Sequence, residues 1–147
     1  MFCEHEILKN RRVLVVDDEP DVLETVKEIL DMCLIDSALS YDSAKKLLEE
    51  NDYDVVILDI MGVRGYDLLD LSTRKGIPSV MLTAHALSPE NFLKSIKKGA
   101  KAYLPKNMII DIATYLVDII EESEEPRKAR WFRRLKPFFD RQFGPDW

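Results

Sequence analysis

The chain has 147 residues, 46% hydrophobic and 33% charged, with a formal net charge of −6. That length suits one domain with a single sizeable core and leaves no room for a second core of ~100 residues beside it. No apolar run approaches the ~18 residues that span a bilayer, and MFCEHEILKNRR lacks the basic-then-apolar order of a secretory leader. Cys3 and Cys33 form neither a disulfide framework nor a CxxC pair, so a reducing, cytoplasmic setting is expected. Charge is uneven: residues 1–125 carry 25 acids and 14 bases, whereas residues 126–147 carry two acids and seven bases. An acidic body followed by a basic tail suggests two parts with different partners.

In chain order, residues 1–11 read as a lead segment. Residues 13–16 form a first apolar run, VLVV, which ends in Asp17, Asp18 and Glu19. Pro20 suits the first turn of a helix in which Val22, Val26, Ile29, Leu30 and Cys33 recur at helical spacing. A weaker strand is expected over 34–39 and a helix over 43–51, with Ala44, Leu47 and Leu48 inward. Residues 55–58, VVIL, are the strongest strand and end at Asp59. A helix over 66–74 and an apolar run over 78–83 follow. Ser88 and Pro89 then cap and open a helix that stops at Gly99. A short strand over 102–104 and an amphipathic helix over 108–123 complete five βα units. Continuous rather than alternating apolar runs mark strands buried on both faces. The expected fold is therefore α/β, a doubly wound five-stranded parallel sheet over residues 12–124, followed by a C-terminal helical extension over 125–147.

Such sheets carry their sites at the carboxyl ends of the strands. Here those ends hold Asp17, Asp18, Asp59, Thr83 and Lys106. Three carboxylates at one sheet edge repel one another, and a hard divalent cation such as Mg²⁺ resolves the repulsion. A carboxylate can also act as a nucleophile toward phosphorus, while a lysine and a hydroxyl hold phosphoryl oxygens. Each residue also has a plainer role open to it. The aspartate pair could cap a helix, Asp59 could be an exposed strand-end acid, Thr83 could be there for strand propensity, and Lys106 could be solvated. It is their coincidence at four strand ends that points to a site.

VLVVDDEP, VVILDIM, VMLTA and GAKAYLPK, in order and at the usual spacing, resemble the successive motifs of the response-regulator receiver domain of two-component signalling. The resemblance covers about residues 12–123. It implies a phosphorylation-controlled switch that accepts a phosphoryl group on Asp59 from a histidine kinase or phosphotransfer protein. It implies Mg²⁺ held directly by Asp18 and Asp59, through water by Asp17, and by the backbone carbonyl of Met61. Thr83 and Lys106 would grip the phosphoryl group, and Tyr103 would be the aromatic whose rotation accompanies movement of Thr83. Glu19 is left as a helix N-terminal charge. His85, near the rim, reads either as a solvated loop residue or as an influence on water access.

Two departures from the family pattern stand out. The loop IMGVRGYDLL lacks the usual proline, and its glycine comes two residues early, which reads as a two-residue deletion. The family's lysine is followed by a cis proline, whereas here Asn107 follows Lys106. The expectation is therefore either a trans Lys106–Asn107 bond with a shifted lysine or a strained cis bond. These departures motivate an alternative, a phosphorylation-independent scaffold with the same fold. A dedicated aspartyl-phosphate phosphatase is disfavoured because Met61 stands where such enzymes carry a second aspartate.

The tail, PRKARWFRRLKPFFDRQFGPDW, places Trp131, Leu135, Phe138 and Phe139 on one side of a helix, with Pro137 expected to start a new turn or a kink. Three readings stay open. It packs back on the acidic body, it docks or dimerises with a protein partner, or it contacts an anionic membrane or nucleic acid. In the first two it would touch the face made by the helix after Ser88, the strand 102–104 and the helix 108–123. The working expectation is a regulator acting by protein–protein contact without a DNA-binding output domain. Dimerisation is left open, and nucleic acid and membrane are not expected as partners.

Overall fold

Five short strands form one parallel sheet: β1 (Arg12–Val16), β2 (Leu34–Ala38), β3 (Val55–Asp59), β4 (Ser79–Thr83) and β5 (Ala102–Pro105), in the order β2-β1-β3-β4-β5. The computed structural model describes residues 3–85, 87–121, 130–144, 146 and 147. Every residue of β3, β4 and β5 is buried, as their unbroken apolar runs require, whereas edge strand β2 is half open. The chain leaves β1 for β2 on one side and then crosses back to β3 on the other. The switch in strand order therefore falls between β1 and β3, and a crevice is expected at their carboxyl ends.

The helices are α1 (Glu4–Leu8), α2 (Pro20–Ile29), α3 (Tyr41–Glu50), α4 (Gly65–Arg74), α5 (Pro89–Lys97), α6 (Ile112–Glu121) and α7 (Arg130–Phe143). α2 packs beside α6, and α3 beside α4. The Tyr66 hydroxyl of α4 donates to Asn91 of α5 at 2.7 Å. The expected caps are present. Pro20 and Pro89 open α2 and α5, and Ser88 Oγ accepts from the Asn91 amide at 3.1 Å. Among the described residues no helix is long and apolar enough to cross a membrane.

The structure revises three local expectations and decides between the two open at Lys106–Asn107. The lead segment contains α1, which the apolar pattern did not mark. Its Leu8 is fully buried, and Glu4 accepts a hydrogen bond from Thr114 of α6 at 2.5 Å. The helix expected over 108–123 begins as a 3-10 helix, Lys106–Asp111, and becomes α-helical only at Ile112; residues 122 and 123 lie outside the described residues. The Lys106–Asn107 bond is trans, since the described residues contain no cis peptide. Finally, α7 runs through Pro137 without starting afresh. A proline inside a helix costs about 3 kcal/mol. Here Trp131, Leu135 and Phe139 are all buried, each contributing about 1.5–3 kcal/mol, which outweighs that cost.

α7 lies back on the body, as the first reading of the tail expected. Phe92 of α5 meets the rings of Trp131, Phe132, Phe139 and Trp147, and Tyr103 of β5 meets Phe139. Arg134 binds the buried Asp118 of α6 at two points, 2.7 and 3.3 Å. The contact surface is therefore α5, β5 and α6, as expected. Phe138 is only half-buried, so the apolar stripe is narrower than the sequence suggested.

Candidate functional site

Parallel register assembles the site. Val16 of β1 faces Leu58 of β3, so the next step along both strands brings Asp17 level with Asp59. Asp59 faces Leu82, which puts Thr83 one step beyond, and Thr83 faces Pro105, the residue before Lys106. Residues up to 89 positions apart in sequence thus share one rim because the strands are short and end level. Asp17, Asp18 and Asp59 can bring a carboxylate oxygen each within 4.8 Å of one another.

The burial of these acids sets their chemistry. Asp17 is 1% exposed and Asp59 5%, while Asp18 is open to solvent. Burial, reinforced by the Asp17 charge, pushes the Asp59 carboxyl up to about 6. Burial also raises Asp17, against the pull of Lys106 and the Glu19 amide. That amide donates to Asp17 Oδ1 at 2.9 Å. Asp17 Oδ2 is buried and pairs with Lys106 Nζ, 2.8 Å away.

Lys106 reaches the centre of the cluster. Its Nζ is 3.2 Å from Asp59 Oδ1 and 3.7 Å from Glu19 Oε2. Burial opposes its charge, but Asp17 and Asp59 outweigh that and hold its pKa above the ordinary lysine value. The lysine therefore reaches the cluster through a trans Lys106–Asn107 bond, without the family's cis proline. Leaving β5 straight into a 3-10 turn places Lys106 over the strand ends. Glu19, left without a role by the sequence, contributes both its amide and its carboxylate.

The shortened loop is built on two glycines that the sequence reading did not count among the site residues. Gly62 has φ +85°, and a Cβ there would run into the Asp18 carboxylate. The loop backbone beside Met61 therefore lies directly against Asp18. Gly65 opens α4, and a Cβ there would overlap the carbonyl oxygen of Asp59 itself. Two glycines within six residues of a strand-end acid were the available signal. The Met61 side chain points out, 56% exposed. The loop deletion and the missing proline, which motivated the scaffold alternative, leave the cluster assembled.

Thr83 is buried at the end of β4. Tyr103 is fully buried; its hydroxyl accepts from the Ser88 amide at 3.2 Å, and burial lifts its pKa to about 12. His85 is exposed in the loop after Thr83.

The chain is similar to known proteins. The profile of the response regulator receiver domain matches residues 13–117. Two-component response regulator ARR18 of Arabidopsis thaliana is 36% identical over 101 residues, covering 65% of this chain and 16% of that protein. Transcriptional regulatory protein CpxR of Klebsiella pneumoniae is 32% identical over 99 residues, covering 65% of this chain and 42% of that protein. The chain thus spans less than half the length of these relatives. Among solved structures, the receiver domain of NtrX from Brucella abortus superposes with a TM-score of 0.66 at 30% identity, covering 76% of this chain and 99% of that one. The receiver domain of the Francisella response regulator 1452 gives 0.69 at 26% identity, covering 78% and 100%.

Proposed function

Since the chain belongs to the response-regulator receiver domain family of two-component signalling, we propose that it is a switch phosphorylated on Asp59 by a histidine kinase or phosphotransfer protein and read out through protein–protein contact. The observation that carries this reading is the convergence of Asp17, Asp18 and Asp59 within 4.8 Å, with Lys106 Nζ 3.2 Å from Asp59.

The residues fit a divalent cation. Three oxygen donors share one rim, and one of them is open to solvent. Asp17, Asp18 and Asp59, with the Met61 carbonyl, would hold Mg²⁺. Bound there, the ion would neutralise the acids and the charge on the phosphoryl oxygens.

The chain's own groups do the rest. One Asp59 oxygen attacks phosphorus; the new O–P bond forms as the N–P bond of the phosphohistidine breaks, and the imidazole nitrogen keeps that electron pair and takes up a proton. Asp59 must be ionised to attack, so its pKa of about 6 leaves it competent at neutral pH. Lys106 swings from the Asp59 carboxylate to a phosphoryl oxygen, and the Thr83 hydroxyl donates to another.

Incubation with acetyl phosphate and Mg²⁺ tests the assignment. Mass spectrometry should show the gain of one phosphoryl group, absent in Asp59→Asn. Persistence of the gain in that variant would sink Asp59 as acceptor. A partner whose binding ignores both phosphodonor and Asp59→Asn would favour the scaffold instead.

A further inference from the structure

β2 ends the sheet on one side, and among the described residues no strand pairs with its outer edge. The Leu34 amide donates to the Arg11 carbonyl at 2.8 Å, and the Ala38 carbonyl accepts from the Asp17 amide at 3.1 Å. Backbone direction alternates along a strand, so Leu34, Asp36 and Ala38 turn their polar groups toward β1. Ile35 and Ser37, and Leu39 just past the strand, turn theirs outward. Such a row of N–H and C=O groups is a template for another strand.

Of the usual guards against edge pairing, β2 keeps only its shortness. It holds no proline and no lysine. Its one charge, Asp36, is engaged within the domain: it accepts from the Tyr53 hydroxyl at 2.7 Å, and Arg12 approaches it at 3.8 Å. The edge is apolar at both ends instead. Leu34 is 55% exposed and Leu39 52%, two of the four large apolar side chains left exposed among the described residues. One exposed leucine is ordinary surface, but two that bracket an open strand mark a contact.

The sequence of the edge, LIDSAL over residues 34–39, decides which strand fits it. A second copy laid antiparallel about a two-fold axis at Ser37 sets Ile35 opposite Leu39, Ser37 opposite Ser37, and Asp36 opposite Ala38. The outward-turned residues then meet as hydrogen-bonded pairs, each exchanging both bonds. Apolar side chains face apolar ones, and no like charges stand opposed. Moving the axis to Asp36 instead sets two carboxylates opposite each other, with Cα atoms about 4.5 Å apart, and is disfavoured.

We propose that β2 is the interface of a symmetric homodimer, in which a second copy continues the five-stranded sheet by antiparallel β2–β2 pairing centred on Ser37. The contact is isologous, so it closes on itself. It lies at the far edge of the sheet from β5 and the docked α7, and it does not rest on the assignment of Asp59.

Sedimentation equilibrium of the full chain measures the dimer. One strand pair makes an interface at the small end of the scale, below about 1,200 Å², so the dimer should be weak and grow with concentration. Ser37 offers a test of register, because its amide points away from β1 and a new side chain there leaves the β1–β2 ladder intact. Ser37→Lys and Ser37→Glu each set like charges face to face at the axis and should weaken dimerisation about fivefold or more. Mixed in equal amounts, the two variants bring a lysine opposite a glutamate and should form a mixed dimer at least as tight as that of the unaltered chain. Urea unfolding confirms that each variant is folded. Leu39→Lys, at an exposed position beyond the strand, should also weaken the dimer and serves as the test if a Ser37 variant does not fold. A chain that stays monomeric up to about 1 mM refutes the proposal. A dimer indifferent to all three variants lies elsewhere on the surface and refutes it too. Weakening by both Ser37 variants with no recovery on mixing overturns the pairing centred on Ser37.

Discussion

Replacing Asp59 by asparagine should make the metal-free protein more stable at neutral pH. The side chain keeps its shape and loses its charge. Asp59 is 5% exposed, and its carboxyl is pushed from 3.8 to about 6. At 1.36 kcal/mol per unit, holding it ionised above pH 7 costs the fold about 3 kcal/mol. That shift is already net of the 3.2 Å attraction to Lys106, which keeps Asp17 at 2.8 Å in the variant. The variant should therefore gain up to about 3 kcal/mol. The sign with pH follows from linkage. The native state binds the proton more tightly than the unfolded chain, so wild-type stability from this group falls as pH rises from about 4 to about 6 and then levels off. The advantage of Asp59→Asn should therefore be full above pH 7 and vanish near pH 4. Urea unfolding of both proteins in EDTA across that range measures it. A variant less stable than wild type at pH 7.5, or a difference flat with pH, would refute the electrostatic account of the site.

Three further outcomes follow from the packing. Lys106→Ala leaves Asp17, Asp59 and Glu19 without their shared cation and should cost on the order of 3 kcal/mol at pH 7; denaturant midpoints should recover more with added Mg²⁺ than in wild type. Gly65→Ala forces a methyl group into the Asp59 carbonyl and should cost about 1–3 kcal/mol despite better helix propensity, with slower acetyl-phosphate labelling as the second readout. Leu8→Ala should cost about 2–5 kcal/mol by thermal unfolding, because α1 belongs to the core; an effect below 1 kcal/mol would mean the helix is an appendage.

Strands β1, β3 and β4 could be read from the chain because burial on both faces writes itself as consecutive Val, Ile and Leu. The helix starts at Pro20 and Ser88 were legible because capping is chemistry within one turn. α1 was missed because five residues bury only one fully closed side chain, Leu8, too few for a period to show. The continuity of α7 through Pro137 was missed for the opposite reason. The local penalty was visible, but the burial against Phe92 and Tyr103 that overrides it was not.

The sequence by itself determined which residues end the strands, and so which chemistry meets at the rim: Asp17, Asp18, Asp59, Thr83 and Lys106. The motifs are local, and a parallel sheet brings strand ends together by its own topology. Tertiary structure alone decided that Lys106 reaches Asp17 and Asp59 through a trans peptide, that Gly62 and Gly65 let a shortened loop close on Asp18 and Asp59, and that Arg134 lies over Asp118. Each of these is a contact between residues on different elements, fixed by how the elements pack.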